Sequence, residues 1–331
     1  MIASIPSPSF NSIDIGPLSI NLYGLCIALG VVAAVWLFGR RLEERQVGTR
    51  DDAAAIAVWA VLAGLVGARL YHVATDWDRF EGNYESIPAI WEGGLGIPGG
   101  LLFGIPVGLW MSLRRGIPIA VAATAAAPAI PLAQAIGRWG NYFNQELYGR
   151  PTDLPWALEI DPEHLEPGYA VGTTFQPTFL YESLWTLGLA LLLIWIDRRW
   201  RPAPGQLMVM YLIGYGIGRF WIEGLRIDPA DEIAGLRWNQ WVAAAVVVIG
   251  VVVLIWMMRH PLPEPEPRAD FLDDGDDDTD STTTADAAAD GDDAGDASTD
   301  GAADGAGSAG DADGDGDGDG IDDDAASPAG A

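Results

Sequence analysis

Long apolar segments separated by short polar links make up most of the first 260 residues. The segments 18–39 and 242–258 contain no charged residue. A surface helix of a soluble protein keeps a polar face along one side, and these segments lack one. About 20 apolar residues are enough to cross the ~30 Å hydrocarbon layer of a bilayer. The pattern therefore predicts helices that span a membrane.

Seven segments have the length and composition of membrane spans. Several are interrupted by Gly and Pro, which membrane helices tolerate where neighbouring groups satisfy the freed backbone. We predict an all-α integral membrane protein with seven transmembrane helices, formed by residues 1–260. The predicted spans are 18–39, 53–74, 88–113, 117–137, 177–196, 205–222 and 238–258.

Arginines are distributed unevenly among the links between the predicted spans. The links that follow odd-numbered spans are basic, whereas the others are acidic or poor in base. Because short basic links stay in the cytoplasm, we predict an N-terminus outside the cell and a C-terminus inside it. The longest outer link, about 145–176, is expected to form a small extracytoplasmic head. The arginines of the basic links are Arg40, Arg41, Arg45, Arg50, Arg114, Arg115, Arg198, Arg199, Arg201 and Arg259.

The formal net charge of −28 belongs mostly to the C-terminal segment. Residues 262–331 hold 24 of the 46 acidic residues and a single base, Arg268. This Asp/Gly/Ala-rich segment has almost no large apolar side chains, so it cannot bury a core. We predict a disordered acidic cytoplasmic tail over 261–331. The chain also lacks the basic face that binds phosphodiester backbones, so we expect no nucleic-acid partner.

Cysteine and histidine are too few for a metal cluster or an internal disulfide. Cys26 is the only cysteine, and His72, His164 and His260 are widely separated. Metal sites of the Cys/His type need several such ligands. We therefore expect no metal and no cofactor, and we interpret Cys26 as a small buried hydrophobic residue.

Three arginines lie within or at the edge of apolar segments. Arg69, Arg138 and Arg219 each fall at the predicted outer end of a span. Charged side chains in such positions are costly in hydrocarbon and usually face a polar cavity. The planar guanidinium fork is suited to phosphate, to which it donates two hydrogen bonds at once. We predict that these arginines converge on an outward-facing anion site.

Two of these arginines lie in unusual sequence contexts. Arg138 and Asn141 are three residues apart within the stretch 137–152, and Arg219 and Glu223 are four apart. Side chains three or four residues apart lie on one face of a helix. Arg, Asn and Glu side chains could together bind a phosphate and the hydroxyl groups beside it.

Five stretches of the sequence, in order, resemble the signatures of bacterial prolipoprotein diacylglyceryl transferases. The longest and most specific is residues 137–152, GRWGNYFNQELYGRPT. The resemblance covers roughly residues 10–258 and excludes the acidic tail. The other four stretches are 15–25, 90–94, 176–182 and 215–226.

The resemblance implies a lipid-modifying enzyme of the bacterial plasma membrane. The family moves the diacylglyceryl group of phosphatidylglycerol onto the lipobox cysteine thiol of a preprolipoprotein, forming a thioether and releasing glycerol phosphate. This is the first step of lipoprotein maturation. The residues that match the family's important positions are Tyr23, Arg138, Asn141, Gly149, Tyr215 and Arg219. All of these except Gly149 are expected to be catalytic. Substrate contacts are expected from Arg138, which would bind phosphatidylglycerol, and from Asn144, Glu146, Gly149, Arg69 and Glu223.

Two positions depart from the family pattern. The milder change is Asn239-Gln240, where the family often has a Gly-Gln pair. Many members carry a histidine where this sequence has Pro98, and proline cannot act as a base. Two routes to the reactive thiolate stay open. In one, the field of Arg138 and Arg219 lowers the pKa of the thiol and the lipid phosphate accepts the proton. In the other, His72 or Glu182 is the base.

Two other functions are compatible with the composition. A transporter of an anionic substrate would also use intramembrane arginines, but the motif at 137–144 has no second copy of the kind that an internal repeat would give. A non-catalytic lipid-binding membrane protein is the second alternative. The observation that favours it is Pro98, since a lost base could mean a lost activity.

Overall fold

The structure is a computed structural model that describes residues 4–16, 18–90 and 93–272. Helices form most of this part of the chain, as predicted. The predicted disorder of residues 273–331 lies outside the described residues. So do two residues of the signature at 90–94, Trp91 and Glu92.

The helices lie close to the predicted spans, and short hairpins join some of them. Residues 18–21, predicted to begin the first span, instead form a strand. The helices are α1 (Leu22–Glu44), α2 (Arg50–Thr75), α3 (Trp77–Phe80), α4 (Ile97–Arg114), α5 (Ile119–Ala126), α6 (Ala129–Phe143), α7 (Thr178–Trp200), α8 (Gln206–Glu223) and α9 (Trp238–Arg259). The antiparallel strand pairs are β1 (Ser12–Ile15) with β2 (Leu18–Asn21), β3 (Leu158–Glu159) with β4 (Thr174–Phe175), and β5 (Glu232–Ile233) with β6 (Leu236–Arg237).

The length and hydropathy of the helices identify a mostly helical, multi-pass membrane protein. Within the described residues, α1, α2, α4, α7 and α9 are long and apolar enough to cross a bilayer, and α5 with α6 could form a sixth, bent span. α8 has 18 residues but is not in this set. It carries Arg219 and Glu223, which lower its hydropathy.

The predicted span 88–113 begins too early. α4 starts only at Ile97, and a short helix and turns precede it. Gly93 and Gly94 have φ angles of 85° and 71°, in the left-handed region that a helix does not use and that glycine adopts without strain. Pro98 then occupies the first turn of α4, where a residue without an N–H is tolerated.

The predicted span 117–137 is two helices instead of one. The axes of α5 and α6 differ by 42°. Pro128 lies at the junction as the N-cap of α6, and proline has no N–H to donate to the preceding turn. α6 continues past the predicted end of the span, which places Arg138 and Asn141 on a helix.

Small residues allow the helices that carry the site to approach closely. α1 packs against α6, and α8 lies against both α7 and α9. A Cβ atom at Gly140 of α6 would come within 2.7 Å of the Tyr23 ring on α1, and one at Gly218 of α8 would come within 2.1 Å of the Trp185 indole on α7. The glycines of the two signature motifs therefore set the spacing of α1, α6, α7 and α8.

The alternating helices place their links at two ends of the bundle. We call the end with residues 145–176 the head end, and the end where α1 stops and α2 starts the opposite end. At the opposite end, Asp197 of α7 pairs with Arg41 of α1 and with Arg45, which directly follows α1, at 2.8 and 2.6 Å. Arg41 also donates a 3.1 Å hydrogen bond to the carbonyl of Ala125. These contacts tie α1, α5 and α7 together.

The described start of the predicted tail also contacts the opposite end. The backbone N–H of Arg268 donates to the carbonyl of Gln46 at 2.9 Å, and its guanidinium lies 2.9 Å from Asp52. Asp52 pairs with Arg115 as well, at 3.2 Å. The folded part of the chain therefore continues past residue 260, where we had placed the boundary of the tail.

Candidate active site

Three helices bring two arginines and one carboxylate together at the head end. Glu182 of α7 forms ion pairs with Arg138 of α6, through Oε2 and Nε, and with Arg219 of α8, where Oε1 and Nη1 are 3.4 Å apart. The side chain of Glu182 is 9% exposed, whereas those of Arg138 and Arg219 are 22% and 19% exposed. The shared carboxylate therefore positions two guanidinium groups that a ligand can still reach. We call Arg138 and Arg219 the arginine pair.

On the α6 side, polar contacts continue from Arg138 into the signature loop. Arg138 Nη1 donates to Asn141 Oδ1 at 3.3 Å, and Asn141 Nδ2 donates to Glu146 Oε1 at 2.6 Å. Asn141 is buried, so its amide orientation is fixed by these two partners. The predicted grouping of Arg138, Asn141 and Glu146 is present in the structure.

The loop that carries Glu146 has a strained backbone. Gln145 and Leu147 have φ angles of 50° and 60°, and such left-handed conformations cost non-glycine residues about 1–3 kcal/mol each. Gln145 is held by Asp161, donating to its carboxylate at 2.6 Å and accepting from its N–H at 2.8 Å. Hydrogen bonds from Ser7 and from Gln145 lower the pKa of Asp161. Asp161, which lies later in the same link, thus fixes the position of the loop that carries Glu146.

On the α8 side, Arg219 also belongs to a buried network of ion pairs. Glu223 is fully buried, and its Oε2 lies 2.7 Å from Arg219 Nη2 and 3.6 Å from Arg226 Nη1. Its Oε1 accepts from Arg237 Nε at 3.0 Å and from Asn239 Nδ2 at 3.1 Å. A buried carboxylate with one cation would be costly, but Glu223 has several donors. Its position therefore fixes Arg219 on the side away from Glu182.

Asp228 closes this network beyond the end of α8. Its carboxylate accepts from Arg226 Nε at 2.7 Å and from Arg237 Nη2 at 3.0 Å. Burial alone would raise the pKa of Asp228, but hydrogen bonds with Arg226 and the charges of Arg226 and Arg237 outweigh it and lower the pKa. Asp228 thus remains ionised and holds both arginines against Glu223.

The two predicted tyrosines lie on helices that border the site. Tyr23 is in the first turn of α1 and packs against Gly140, two residues after Arg138. Tyr215 lies one turn before Arg219 on α8, partly buried, with its ring centroid 5.9 Å from that of Tyr211. Their predicted catalytic roles stay predictions.

Asn144 and Gly149 hold the signature loop in place through their backbones. Asn144 ends α6, where its N–H donates to the carbonyl of Gly140 at 3.0 Å. The N–H of Gly149 donates to the carbonyl of Gln176 at 2.9 Å, and a Cβ at Gly149 would lie 2.8 Å from that of Gln176. Gly149 is therefore a point of close backbone packing, and direct substrate contact by either residue remains a prediction.

Arg69 and His72 belong to a different cluster. Arg69 donates to the backbone carbonyls of Ser86, Ile87, Gly93 and Gly94 at 2.6–3.1 Å. His72 Nδ1 lies 2.8 Å from Asp76. In the part of the chain that the structure describes, no hydrogen bond or ion pair joins these residues to the arginine pair. The predicted convergence of three arginines therefore holds only for Arg138 and Arg219.

The sequence did not identify several members of the ion network. Arg237 and Asp228 lie in the link between α8 and α9, to which we assigned no site residue. A usable signal was the position of Arg237 and Asn239 directly at the start of an apolar run, on the same side of the membrane as Arg219. For metals, the described residues contain no group of three or more His, Cys, Asp or Glu side chains that could hold an ion.

The fold and the site together define a multi-pass membrane protein with two partly exposed arginines that share one carboxylate at one end of its helices. Residues 11–256 match the family described as prolipoprotein diacylglyceryl transferase. The chain belongs to this family of transferases, which act in lipoprotein biosynthesis.

Relatives with a common function support this assignment. The phosphatidylglycerol–prolipoprotein diacylglyceryl transferase of Streptomyces griseus subsp. griseus is 51% identical over 258 residues, 77% of this chain and 78% of the relative. The enzyme of the same name from Frankia alni is 50% identical over 276 residues, covering 81% and 71%. That of Cutibacterium acnes is 47% identical over 261 residues, covering 78% and 88%. The predicted family is confirmed, and the transferase is favoured over a transporter or a non-catalytic lipid binder.

Proposed function

We propose that the protein transfers the diacylglyceryl group of phosphatidylglycerol to the lipobox cysteine of preprolipoproteins. The observation that carries the proposal is the arginine pair, held by Glu182 and partly open at the head end. Two guanidinium groups can bind the lipid phosphate through charge-assisted hydrogen bonds. Asn141 and Glu146 lie beside Arg138, where they could bind the glycerol hydroxyls of the headgroup.

The chemistry needs positive charge where the leaving group forms. The thiolate sulfur attacks the carbon of the diacylglyceryl group that bears the phosphate. A C–S bond forms as the C–O bond to the phosphate breaks. The electron pair of that bond stays on oxygen, so a phosphodiester with one negative charge becomes a monoester with two. Arg138 and Arg219 are already positioned by Glu182 and Glu223 to stabilise the added charge, which is the basis of electrostatic catalysis.

The thiol proton must leave before the sulfur attacks. Glu182 contacts both members of the arginine pair. A lipid phosphate that draws the two guanidinium groups towards itself weakens their hold on Glu182 and leaves a carboxylate beside the reacting centre. This geometry supports Glu182 over His72 as a protein base. Transfer of the proton to the lipid phosphate is the alternative, and it uses the same two arginines.

The arrangement of the helices supports seven spans with the head outside the plasma membrane. Counting α1, α2, α4, the bent α5–α6 pair, α7, α8 and α9 gives seven crossings that alternate in direction. The basic links and the start of the tail lie at the opposite end, which is the cytoplasmic side by the positive-inside rule. The head and the arginine pair then face outwards, where an exported preprolipoprotein presents its lipobox.

A mass-shift assay tests the function directly. The full-length protein in detergent is incubated with phosphatidylglycerol and a lipobox peptide, and the intact peptide is measured by mass spectrometry. We expect the mass of one diacylglyceryl group to be added to the cysteine, and glycerol phosphate to be released. Two controls are run. One replaces phosphatidylglycerol with phosphatidylcholine, and the other uses a lipobox peptide with Cys→Ser. A protein that binds both substrates and yields no adduct would be a non-catalytic lipid binder.

The two protein bases are separated by single substitutions. We expect Glu182→Gln to lower transfer by about 100-fold or more, in the range of a lost general base, and to alter its pH dependence. His72→Ala should retain transfer, because His72 pairs with Asp76 in another cluster. Full activity of both variants would exclude a protein base and leave the lipid phosphate as the acceptor.

A further inference from the structure

A glutamine and a tyrosine form a polar contact within the helix bundle. Gln134 Nε2 of α6 donates to the hydroxyl oxygen of Tyr211 on α8 at 3.0 Å. Neither side chain forms another hydrogen bond with a residue that the structure describes, and Gln134 Oε1 is buried without a partner in that part of the chain. Unpaired polar groups are costly in hydrocarbon, so this contact needs an explanation beyond helix packing.

The contact lies deeper in the bundle than the arginine pair and on the same helix faces. Gln134 is four residues before Arg138 on α6, and Tyr211 is eight residues before Arg219 on α8. Spacings of four and eight residues keep side chains within one stripe of a helix. Both helices run towards the head end, so Gln134 and Tyr211 lie about one and two turns further from it. The site therefore has a second polar level on its membrane side.

Side chains connect α6 and α8 at these two levels. Both helices pack mainly on α7 rather than on each other. Ala127, Leu189 and Leu207 form an apolar cluster with Tyr211, on the side away from the head end. From the head end inwards, the groups between α6 and α8 are therefore charged, then polar and then apolar. A phosphoglyceride has the same order, with its phosphate, its ester carbonyls and its acyl chains.

The contact leaves two hydrogen-bond donors unused. A glutamine amide has two N–H donors and a tyrosine has one O–H donor, and the bond between Gln134 and Tyr211 uses one of the three. If the Gln134 amide turns over, Tyr211 donates to Oε1 and both N–H groups remain for a ligand. That arrangement also satisfies the buried Oε1. An ester carbonyl accepts hydrogen bonds and donates none, so it complements these donors.

We propose that Gln134 and Tyr211 bind the ester carbonyls of phosphatidylglycerol while the arginine pair binds its phosphate. The inference rests on the proposed function and extends it from the headgroup to the diacylglyceryl group that is transferred. A lipid held at its phosphate and at its ester groups presents the carbon between them in a fixed position, and such positioning accelerates attack. Gln134 and Tyr211 are thus substrate-binding residues that select a diester lipid.

A competition between two lipids tests this assignment without transfer. The full-length protein in detergent receives equal amounts of diester and diether phosphatidylglycerol with the same chain lengths, and no peptide. The diether lipid keeps the phosphate and the glycerol headgroup but lacks both carbonyl oxygens. Native mass spectrometry separates the two complexes by mass and gives their ratio in one sample. Gln134→Leu and Tyr211→Phe are the test variants. Gln206→Leu is the matched control, because Gln206 donates to the carbonyl of Met257 at 3.1 Å, at the opposite end.

We expect the unsubstituted protein to retain the diester about 10-fold over the diether, in the range of one or two hydrogen bonds. Gln134→Leu should bring the ratio close to one, Tyr211→Phe should lower it part of the way, and the control should leave it unchanged. A ratio near one in the unsubstituted protein, or a ratio that Gln134→Leu leaves unchanged, would overturn the inference. An equal loss of both lipids in that variant would also overturn it, because the contact would then be purely structural. Since no transfer is measured, these outcomes are distinguishable from failure of the proposed transferase activity.

Discussion

At both ends of the bundle one carboxylate is shared by two arginines from neighbouring parts of the fold. At the opposite end, Asp197 pairs with Arg41 and Arg45. At the head end, Glu182 pairs with Arg138 and Arg219. The chemical groups are the same, but their accessibility is not. The side chains of Arg41 and Arg45 are 3% and 13% exposed, against 22% and 19% for the arginine pair.

The difference indicates which cluster is structural and which can bind a ligand. Arg41 also donates to the backbone carbonyl of Ala125 in α5, so it joins elements that must stay together. The arginine pair is held from behind by Glu182 and Glu223 and remains accessible in front. An arginine that is positioned but incompletely covered is the arrangement that electrostatic catalysis needs.

The largest expected effects come from replacing one arginine in each of the two clusters. Arg138→Gln should lower transfer by about 100- to 1,000-fold, as loss of one preorganised donor does, with little change in melting temperature. Arg41→Gln should lower the free energy of unfolding by about 1.5–3 kcal/mol, because it removes a charge-assisted hydrogen bond to the partly buried Asp197. Transfer per folded molecule should be retained in that variant.

Peptide mass shift and thermal melting in the same detergent measure both quantities. Arg138→Lys is a useful companion, since it keeps the charge and loses the planar fork. Near-normal transfer by Arg138→Gln would remove the arginine pair from the mechanism.

The next effect concerns the support behind Arg219. Arg237→Gln removes donors to Glu223 and Asp228, and hydrogen bonds to charged groups are worth about 1.5–3 kcal/mol. We expect lower stability. We also expect slower transfer, because Glu223 then pairs more strongly with Arg219 and leaves its guanidinium less available to the substrate. Transfer is assayed well below the melting temperature, with Arg237→Lys as the conservative variant. A loss of stability at an unchanged transfer rate would make Arg237 purely structural.

Acidification should also weaken the ion network that holds Arg219, but the loss of stability should be smaller. The pKa of Asp228 is lowered in the folded protein, so its contribution to stability is complete above its ordinary pKa. That contribution is lost as the pH falls through the lowered pKa. Melting temperature measured between about pH 7 and 3 should therefore fall at the acidic end. Asp228→Asn should flatten that part of the curve, and an unchanged slope would contradict this assignment.

The smallest effect is expected at the start of the tail. Arg268 pairs with Asp52, but the Arg268 side chain is 28% exposed, and such pairs contribute about 0.2–1 kcal/mol. Arg268→Gln should lower the melting temperature slightly and leave transfer unchanged, because the contact lies at the opposite end. A large loss of transfer would show that the start of the tail acts on the site.

Short-range features of the site could be read from the sequence. Arg138 and Asn141, three residues apart, are hydrogen-bonded at 3.3 Å. Arg219 and Glu223, four apart, form a 2.7 Å ion pair. Both predictions succeed because helix geometry places such residues on one face. The exact helix boundaries were less accessible, since Gly93, Gly94 and Pro128 act through backbone angles that hydropathy does not register.

Contacts between distant segments needed the folded chain. Arg69 satisfied every rule for a phosphate-binding arginine, yet four backbone carbonyls occupy it. Glu182 lies between Arg138 and Arg219 only because α6, α7 and α8 pack together. For Arg237, the only signal in the sequence was its position at the start of an apolar run. Pairings of this kind depend on which helices pack together, and apolar segments of similar hydropathy do not specify that.

The sequence by itself determined that the protein is a helical membrane protein of this transferase family, because span length and signature motifs are local properties. It also determined that most of the net charge lies in the C-terminal segment, outside the signature motifs. The tertiary structure decided which arginines are free to bind an anion. That depends on burial and on donors already used, and both are set by neighbours remote in the chain.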